Sequence, residues 1–353
     1  MCSGEERTMD REMVRGRVQT VLGLIEPVAL GSTLMHEHLL CDLNSPALEP
    51  PSDPEPVITL RNVFAINYGR HKHFGRDRLD QKDIAVLEMI DLLDAGGRTV
   101  VELSCGGLAP NPLGLCEISE ASRVNVVMGC GHYVEEFQDT ANFDRSVEDF
   151  ASEMIAQVFE GAWGTDVRAG IIGEIGCSAP WTELEKRVMR GAVLAQIETG
   201  AAITVHPGAD PDQPLDIVNF IRQAGGDVER VIICHIDRTI FDQNRLLRLA
   251  DTGCVVEYDF FGMEKTYWPL GDVDLPNDGM RLNAIRALIE HGHLSRVVIS
   301  QDICRKTRLV EFGGHGYAHI FVNVLPLMRR RGYSENEIDA ILDGNPRRLL
   351  SIV

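Results

Sequence analysis

Eight short apolar runs recur along the chain, and their spacing constrains the fold more than any other feature. They are TLMHEHLL (33–40), RTVVELSC (98–105), NVVMGCGHY (125–133), AGIIGEIGCS (169–178), AAITVHPG (201–208), RVIICHID (230–237), CVVEYDFFG (254–262) and RVVISQDI (296–303). They are rich in Val and Ile and nearly continuous rather than alternating, as strands buried on both faces are. Helical patterns fall between most of them. DIAVLEMIDLLDAGG carries apolar residues at helical spacing and ends on a Gly-Gly stop. TELEKRVMRGAVLAQIETG opens with Thr182 and Glu185 at capping-box spacing and ends on Gly200. PLDIVNFIRQAGG, FDQNRLLRLADTG and GMRLNAIRALIEHG repeat the form, and a last helical pair covers 317–331 and 335–343. Eight strands alternating with helices predict a (β/α)8 TIM barrel of the α/β class. A doubly wound open sheet is the structural alternative. It calls for a glycine-rich phosphate turn after its first strand, where this chain has His36-Glu37-His38.

The 353 residues suit one such barrel. Residues 1–17 read as a charged, flexible tail and 18–353 as a single barrel domain. A short hairpin around Glu26-Pro27 precedes the first barrel strand, and 44–82 reads as a long loop or irregular helices.

Thirty-four basic residues against 53 acidic ones give a net charge of −19. That surface repels nucleic acid and anionic membrane, so neither is expected as a partner. The nine cysteines show no C-x-x-C spacing, and Cys130, Cys234 and Cys254 lie inside apolar runs as small buried hydrophobes. The N-terminal segment lacks the apolar stretch of a secretory leader, and no run is long enough to span a membrane. A reducing, cytoplasmic compartment is the expectation. The oligomeric state is not fixed by the sequence, and a homodimer is allowed.

In TLMHEHLLCDL two histidines one residue apart interrupt a buried strand. Alternate residues of a strand face one way, so His36 and His38 both point to one side and can reach one metal ion. H-x-H alone is weak, since it recurs as His71/His73 and His291/His293. The first of these lies in a charged loop and the second before the eighth strand, at the end of the barrel opposite the active site. Both are read as solvated surface pairs. His36 and His38 gain weight from other strand ends. Strand four offers Glu174, strand five His206, strand six His235 and strand eight Asp302. Six N and O ligands exceed the four or so that one zinc takes, whereas two close ions sharing a carboxylate would use them all.

The order H-x-H, a bridging residue after strand four, single histidines after strands five and six and an aspartate after strand eight resembles the amidohydrolase superfamily. GRVQTVLGLIEP, HEHL, GIIGEIGCS, HPG, CHIDRTI, EYDFFG and KTRL followed by GGHGYAHI resemble the phosphotriesterase family, and within it the phosphotriesterase-related group, from about residue 17 to the C-terminus. The resemblance implies a binuclear, zinc-type hydrolase, and it assigns the metals. His36, His38 and Asp302 hold the buried ion, His206 and His235 the outer one. Relatives bridge the two with a carboxylated lysine. Here IIGEIG offers Glu174 instead, one residue later, which predicts a local bulge. Asp302 is expected to be the general base as well as a ligand. Tyr133 matches a tyrosine that leans over the metals in related lactonases, so it holds a leaving group or merely packs. Asp237 either backs the metal site or caps a helix. CGGLAPNPLG (105–114) departs from a Gly-Arg-Asp sequence common in relatives.

Arg238, Lys306 and Arg308 are the candidate anchors for an anionic substrate. Aromatic residues make up only 6% of the chain, which does not suggest the aromatic-lined pocket used for aryl phosphotriesters. A small amide or ester is therefore the expected substrate, and the resemblance, whose group includes hydrolases of N-acetyltaurine, implies an N-acyl compound of that kind. Phosphotriesterase or lactonase activity is one alternative. A non-catalytic, resiniferatoxin-type binding protein that kept its metal cage is the other.

Overall fold

The computed structural model describes residues 10–68, 73–264, 267–268 and 273–353. All eight predicted strands are present: β1 (Thr33–Glu37), β2 (Thr99–Glu102), β3 (Asn125–Cys130), β4 (Ile171–Gly176), β5 (Ile203–His206), β6 (Val231–Ile233), β7 (Val255–Tyr258) and β8 (Val297–Ile299). Each pairs in parallel with the next, in unbroken order from β1 to β8. The two edge strands meet just past their ends. Asp302 N donates to His36 O at 3.1 Å and His38 N to Ile303 O at 3.3 Å. Glu37, fully buried in this seam, accepts from Ser300 Oγ, Gln301 N and Ile303 N. The result is a TIM barrel.

Two apolar layers follow from the topology. Inside the barrel, Met35, Val101, Leu103, Val127, Ile171, Ile232, Val255 and Val298 pack together, and Val18, Leu30, Leu349 and Leu350 join them. The larger layer lies between strands and helices, and includes Leu34, Val100, Val126, Ile172, Ile203, Ile233, Val256 and Ile299. Neighbouring residues of one strand thus serve opposite layers, and no position is left for a polar face.

The outer ring consists of α1 (Lys82–Ala95), α2 (Pro112–Ser122), α3 (Val147–Phe159), α4 (Glu183–Thr199), α5 (Gln213–Gln223), α6 (Gln243–Asp251), α7 (Asp278–Glu290) and α8 (Leu325–Arg330). The capping box of α4 forms as expected from Thr182 and Glu185, and Gly200 closes the helix at φ +74°. The sequence reading did not identify α2 and α3. The first starts at Asn111-Pro112, inside the stretch read as an atypical loop, and the second carries its own Ser146/Asp149 capping box. The expected hairpin pairs Val18–Thr20 with Gly23–Ile25. Among the described residues, 44–82 hold the short helix Val63–Asn67, a 3-10 turn at Phe74–Asp77 and a two-residue strand, Arg78–Leu79, paired with Cys41–Asp42.

The tail assignment needs correction over its second half. Residues 11–14 form a helical turn that buries Val14, and the following strand of chain ties to the C-terminus through Gly16 N to Ile352 O (2.7 Å) and Ile352 N to Arg17 O (3.0 Å). Residues 1–9 lie outside the described residues. Among the described residues no helix is long and apolar enough to cross a membrane.

Candidate metal centre

Two local irregularities aim the site. Along β1, Met35 joins the interior layer, so strict alternation would turn His36 outward. The register with β2 instead shifts between Leu34 and Glu37, which resets the phase and buries both His36 and His38. The same device recurs in β4. Ile172 pairs with Ile203 and Ile175 with Val205, so β4 holds one residue more than β5 over that span. This is the bulge anticipated from the one-residue offset of Glu174. Gly173 makes it feasible: its φ is +119°, and a Cβ there would lie 2.2 Å from Thr204 O.

The six strand-end residues converge. Glu174 Oε2 lies 3.5 Å from His36 Nε2 and 3.9 Å from His38 Nε2. Asp302 Oδ1 completes that side at 3.8 Å from His36 Nε2 and 3.3 Å from His38 Nε2. Glu174 Oε1 faces the other way, 2.5 Å from His206 Nδ1 and 3.1 Å from His235 Nε2. Two donor sets thus share one carboxylate. In a tetrahedral site with metal–ligand bonds of about 2.0–2.2 Å, ligand atoms stand about 3.3–3.6 Å apart. Around His36 and His38 two of the four distances, 3.5 and 3.3 Å, have that spacing and two, 3.8 and 3.9 Å, are wider; around His206 and His235 the ligand atoms stand closer, at 2.5–3.1 Å. Both His36 nitrogens are buried without a hydrogen bond; Nδ1 faces the Asp259 and Glu257 carboxylates at 3.3 and 3.7 Å, which leaves Nε2, pointing into the set, for a metal. The residues fit divalent ions.

Second contacts fix which nitrogen faces inward. His235 Nδ1 lies 2.9 Å from Asp259 Oδ1, and His36 Nδ1 lies 3.3 Å from Asp259 Oδ2. His38 Nδ1 lies 3.0 Å from Ser104 Oγ, which donates to Glu102 Oε1 at 2.5 Å. These three histidines therefore present Nε2, and His206 alone presents Nδ1. Burial opposes a charge on Glu174, yet His36 and His206 hold its carboxyl well below the usual range. Burial likewise opposes a charge on Asp302, and the hydrogen bond with His38 and the nearby His36 keep it low. Burial drives His206 down to about 4, whereas at His235 the Asp259 carboxylate outweighs burial and raises the ring to about 9, and His36 is raised as well.

The site opens into a cleft of about 540 Å³, the size of a small-molecule pocket. Tyr133 stands in its wall, with its hydroxyl 3.4 Å from His206 Nε2. Arg238 and Arg308 line the cleft, whereas Lys306 does not; it pairs with Asp80 at 2.7 Å. Arg308 Nη1 donates to Asp302 O and stands 3.7 Å from Asp302 Oδ2. Asp237 neither backs a histidine nor caps its helix. Its Oδ2 accepts from Arg281 Nε and Phe260 N, both at 2.9 Å. Tyr133, Phe137, Phe260 and Trp268 line the cleft, so a low aromatic content overall did not mean an aromatic-poor site. His73 is buried rather than solvated, 2.9 Å from Pro56 O, and His71 lies outside the described residues. His291 is exposed as expected, whereas His293 is half-buried and stands 3.1 Å from Asp251. Asp259, Ser104 and Glu102 were missed, although Asp259 ends a strand in the same way as the ligands do.

A (β/α)8 barrel with histidines and carboxylates gathered at the C-terminal strand ends defines a hydrolase of the amidohydrolase superfamily. The model of the phosphotriesterase family matches residues 16–350, and the chain belongs to that family. It is 38% identical over 342 residues to the human N-acetyltaurine hydrolase, covering 95% of this chain and 98% of that one. It is 35% identical over 348 residues to a phosphotriesterase-related protein of Nematostella vectensis, covering 96% and 99%. Among solved structures, a resiniferatoxin-binding protein from Rhodobacter sphaeroides superposes with a TM-score of 0.91 at 34% identity, covering 98% of both chains.

Proposed function

We propose that this chain is a binuclear, zinc-dependent hydrolase of a small N-acyl amide, with N-acetyltaurine as the model substrate. The observation that carries it is Glu174, whose two oxygens face different histidine pairs. His36, His38 and Asp302 would hold one ion and His206 and His235 the other, with Glu174 common to both. Two divalent ions so held supply a nucleophile from water near neutral pH and polarise the acyl oxygen.

The chain's own groups do the rest. Asp302 lies at the cleft floor with Oδ2 clear of the histidines, placed to take the proton of the attacking water. It then delivers that proton to the leaving amine as the C–N bond breaks. Tyr133, beside His206, is placed to hydrogen-bond the substrate across the cleft. The unpaired state of the eight described cysteines fits a reducing, cytoplasmic compartment.

The test is a metal count combined with a turnover screen of N-acyl amines, lactones and aryl phosphotriesters. About two ions per chain and fastest turnover of an N-acyl amine are expected. Preferred turnover of a lactone or a phosphotriester, or one ion at saturating zinc, would overturn the reading.

A further inference from the structure

Two arginines are among the largest fully buried side chains, and their surroundings differ. Arg281 sits between two carboxylates, Asp237 at 2.9 Å and Asp278 at 2.8 Å. Arg238, 2% exposed, has no carboxylate within ion-pair distance among the described residues. Its Nη2 donates to Pro207 O at 2.8 Å, and its Nη1 has only long contacts, to Thr239 Oγ1 at 3.3 Å and Gly208 O at 3.4 Å. Its guanidinium carbon lies 4.8 Å above the Trp268 ring. A buried charge is retained when a counter-charge meets it. Asp259, Glu174 and Asp302 act on Arg238 only at a distance, and the cleft, which Arg238 lines, is where a direct counter-charge can reach it.

The neighbouring donors point the same way. Arg238 Nη2 lies 3.1 Å from His206 Nε2, and the Tyr133 hydroxyl lies 3.4 Å from the same nitrogen. With Nδ1 given to a metal, the neutral His206 ring would carry its proton on Nε2. Guanidinium and imidazole N–H groups then face one another with no acceptor between them. An anionic oxygen entering from the cleft would accept from both.

We propose that Arg238, stacked on Trp268, is the specificity-determining anchor for an anionic group on the amine side of the substrate. The proposal rests on the N-acyl hydrolase reading and narrows it to amides whose leaving amine ends in a sulfonate or carboxylate. The geometry also limits the tail. One imidazole ring separates the Glu174 carboxylate from the guanidinium, so the anion must lie only a few atoms beyond the acyl carbon. Lys306, turned to Asp80, has no part in this recognition.

The experiment uses the zinc-loaded protein and three matched substrates: N-acetyltaurine, N-acetyl-β-alanine and the neutral N-acetylethanolamine. The wild type should prefer the two anions by about 100-fold in kcat/KM, the scale of a charged hydrogen-bonded contact. Arg238→Met should lose that preference through KM, with kcat/KM falling at least about ten times more for the two anions than for the neutral amide. Lys306→Met should keep the preference. Calorimetric binding of ethanesulfonate should disappear in Arg238→Met and persist in Lys306→Met. If Arg238→Met does not fold, Trp268→Leu serves instead and should raise KM for the anions alone. Equal use of neutral and anionic amides by the wild type would overturn the proposal and leave the N-acyl reading standing. Equal loss on all three substrates in Arg238→Met would also overturn it. So would a preference for the anions that survives in Arg238→Met. Absence of any N-acyl turnover alongside Arg238-dependent ethanesulfonate binding would sink the N-acyl reading and uphold the anion site.

Discussion

Asp259 stands behind His235, its Oδ1 2.9 Å from His235 Nδ1, and the same carboxylate turns its other oxygen toward His36 Nδ1 at 3.3 Å. One aspartate thus orients a histidine of each pair. Asp259→Asn keeps the shape but removes the charge that favours Nδ1–H on both rings. Affinity for both metals should fall about 10- to 100-fold, the usual effect of losing such a partner. Chelator competition measures it, and loss of a single metal would show that the coupling is absent.

Glu174 brings its own carboxylate, so metal-free protein should reload equally well with and without bicarbonate. Glu174→Gln should bind the second ion poorly, because a neutral amide does not offset two close dications. Elemental analysis after dialysis against zinc decides this. Full loading of the variant would mean that another group bridges.

Asp302→Asn should retain the fold and lower kcat by at least about 100-fold, the scale expected for a general base. His291→Gln, on the exposed surface at the far end of α7, should change kcat little. Steady-state rates of the two variants provide the comparison.

Gly173→Ala should destabilise the protein by on the order of 1–3 kcal/mol, since φ is +119° and the new methyl meets Thr204 O. A lowered thermal midpoint is the readout. Gly164→Ala, at φ +75° with no atom near its Cβ position, should cost less.

Glu88 on α1 clamps the loop after β8, where its Oε1 accepts from Val310 N at 2.5 Å. Burial pushes its carboxyl up to about 7 from 4.5. The folded state therefore holds a proton that the unfolded chain has released. The stability tied to Glu88 is complete below about pH 4.5 and is lost as pH rises through about 7. Glu88→Gln should flatten that decline. Urea midpoints of both proteins between pH 5 and 8 test it, and parallel slopes would refute it.

Much of this architecture was legible because burial on both faces leaves a strong trace. Strands without a polar side read as unbroken Val/Ile runs, and ligands at strand ends interrupt those runs visibly, as His36, His206 and His235 do. Helices with a capping box and a terminal glycine, such as α4, were equally plain. The less regular segments were harder. α2 starts at a proline and a glycine-bearing turn that resemble a loop, and residues 10–17 gain their order from contacts with distant residues, Ile197, Ile352 and Val353 among them.

The sequence by itself determined the barrel and the six residues at its strand ends, because local pattern and strand register are written in consecutive residues. Which arginine meets the cleft, what backs each imidazole and how β1 shifts phase were decided by the tertiary structure alone. Lys306 and Arg308 are two residues apart, yet one pairs with Asp80 and the other with Asp302. Asp237 and Asp259 both end apolar runs, yet one holds Arg281 and the other holds two histidines. Those choices depend on groups brought together from distant parts of the chain, and a side chain's charge acquires its role only when the closed barrel fixes its neighbours.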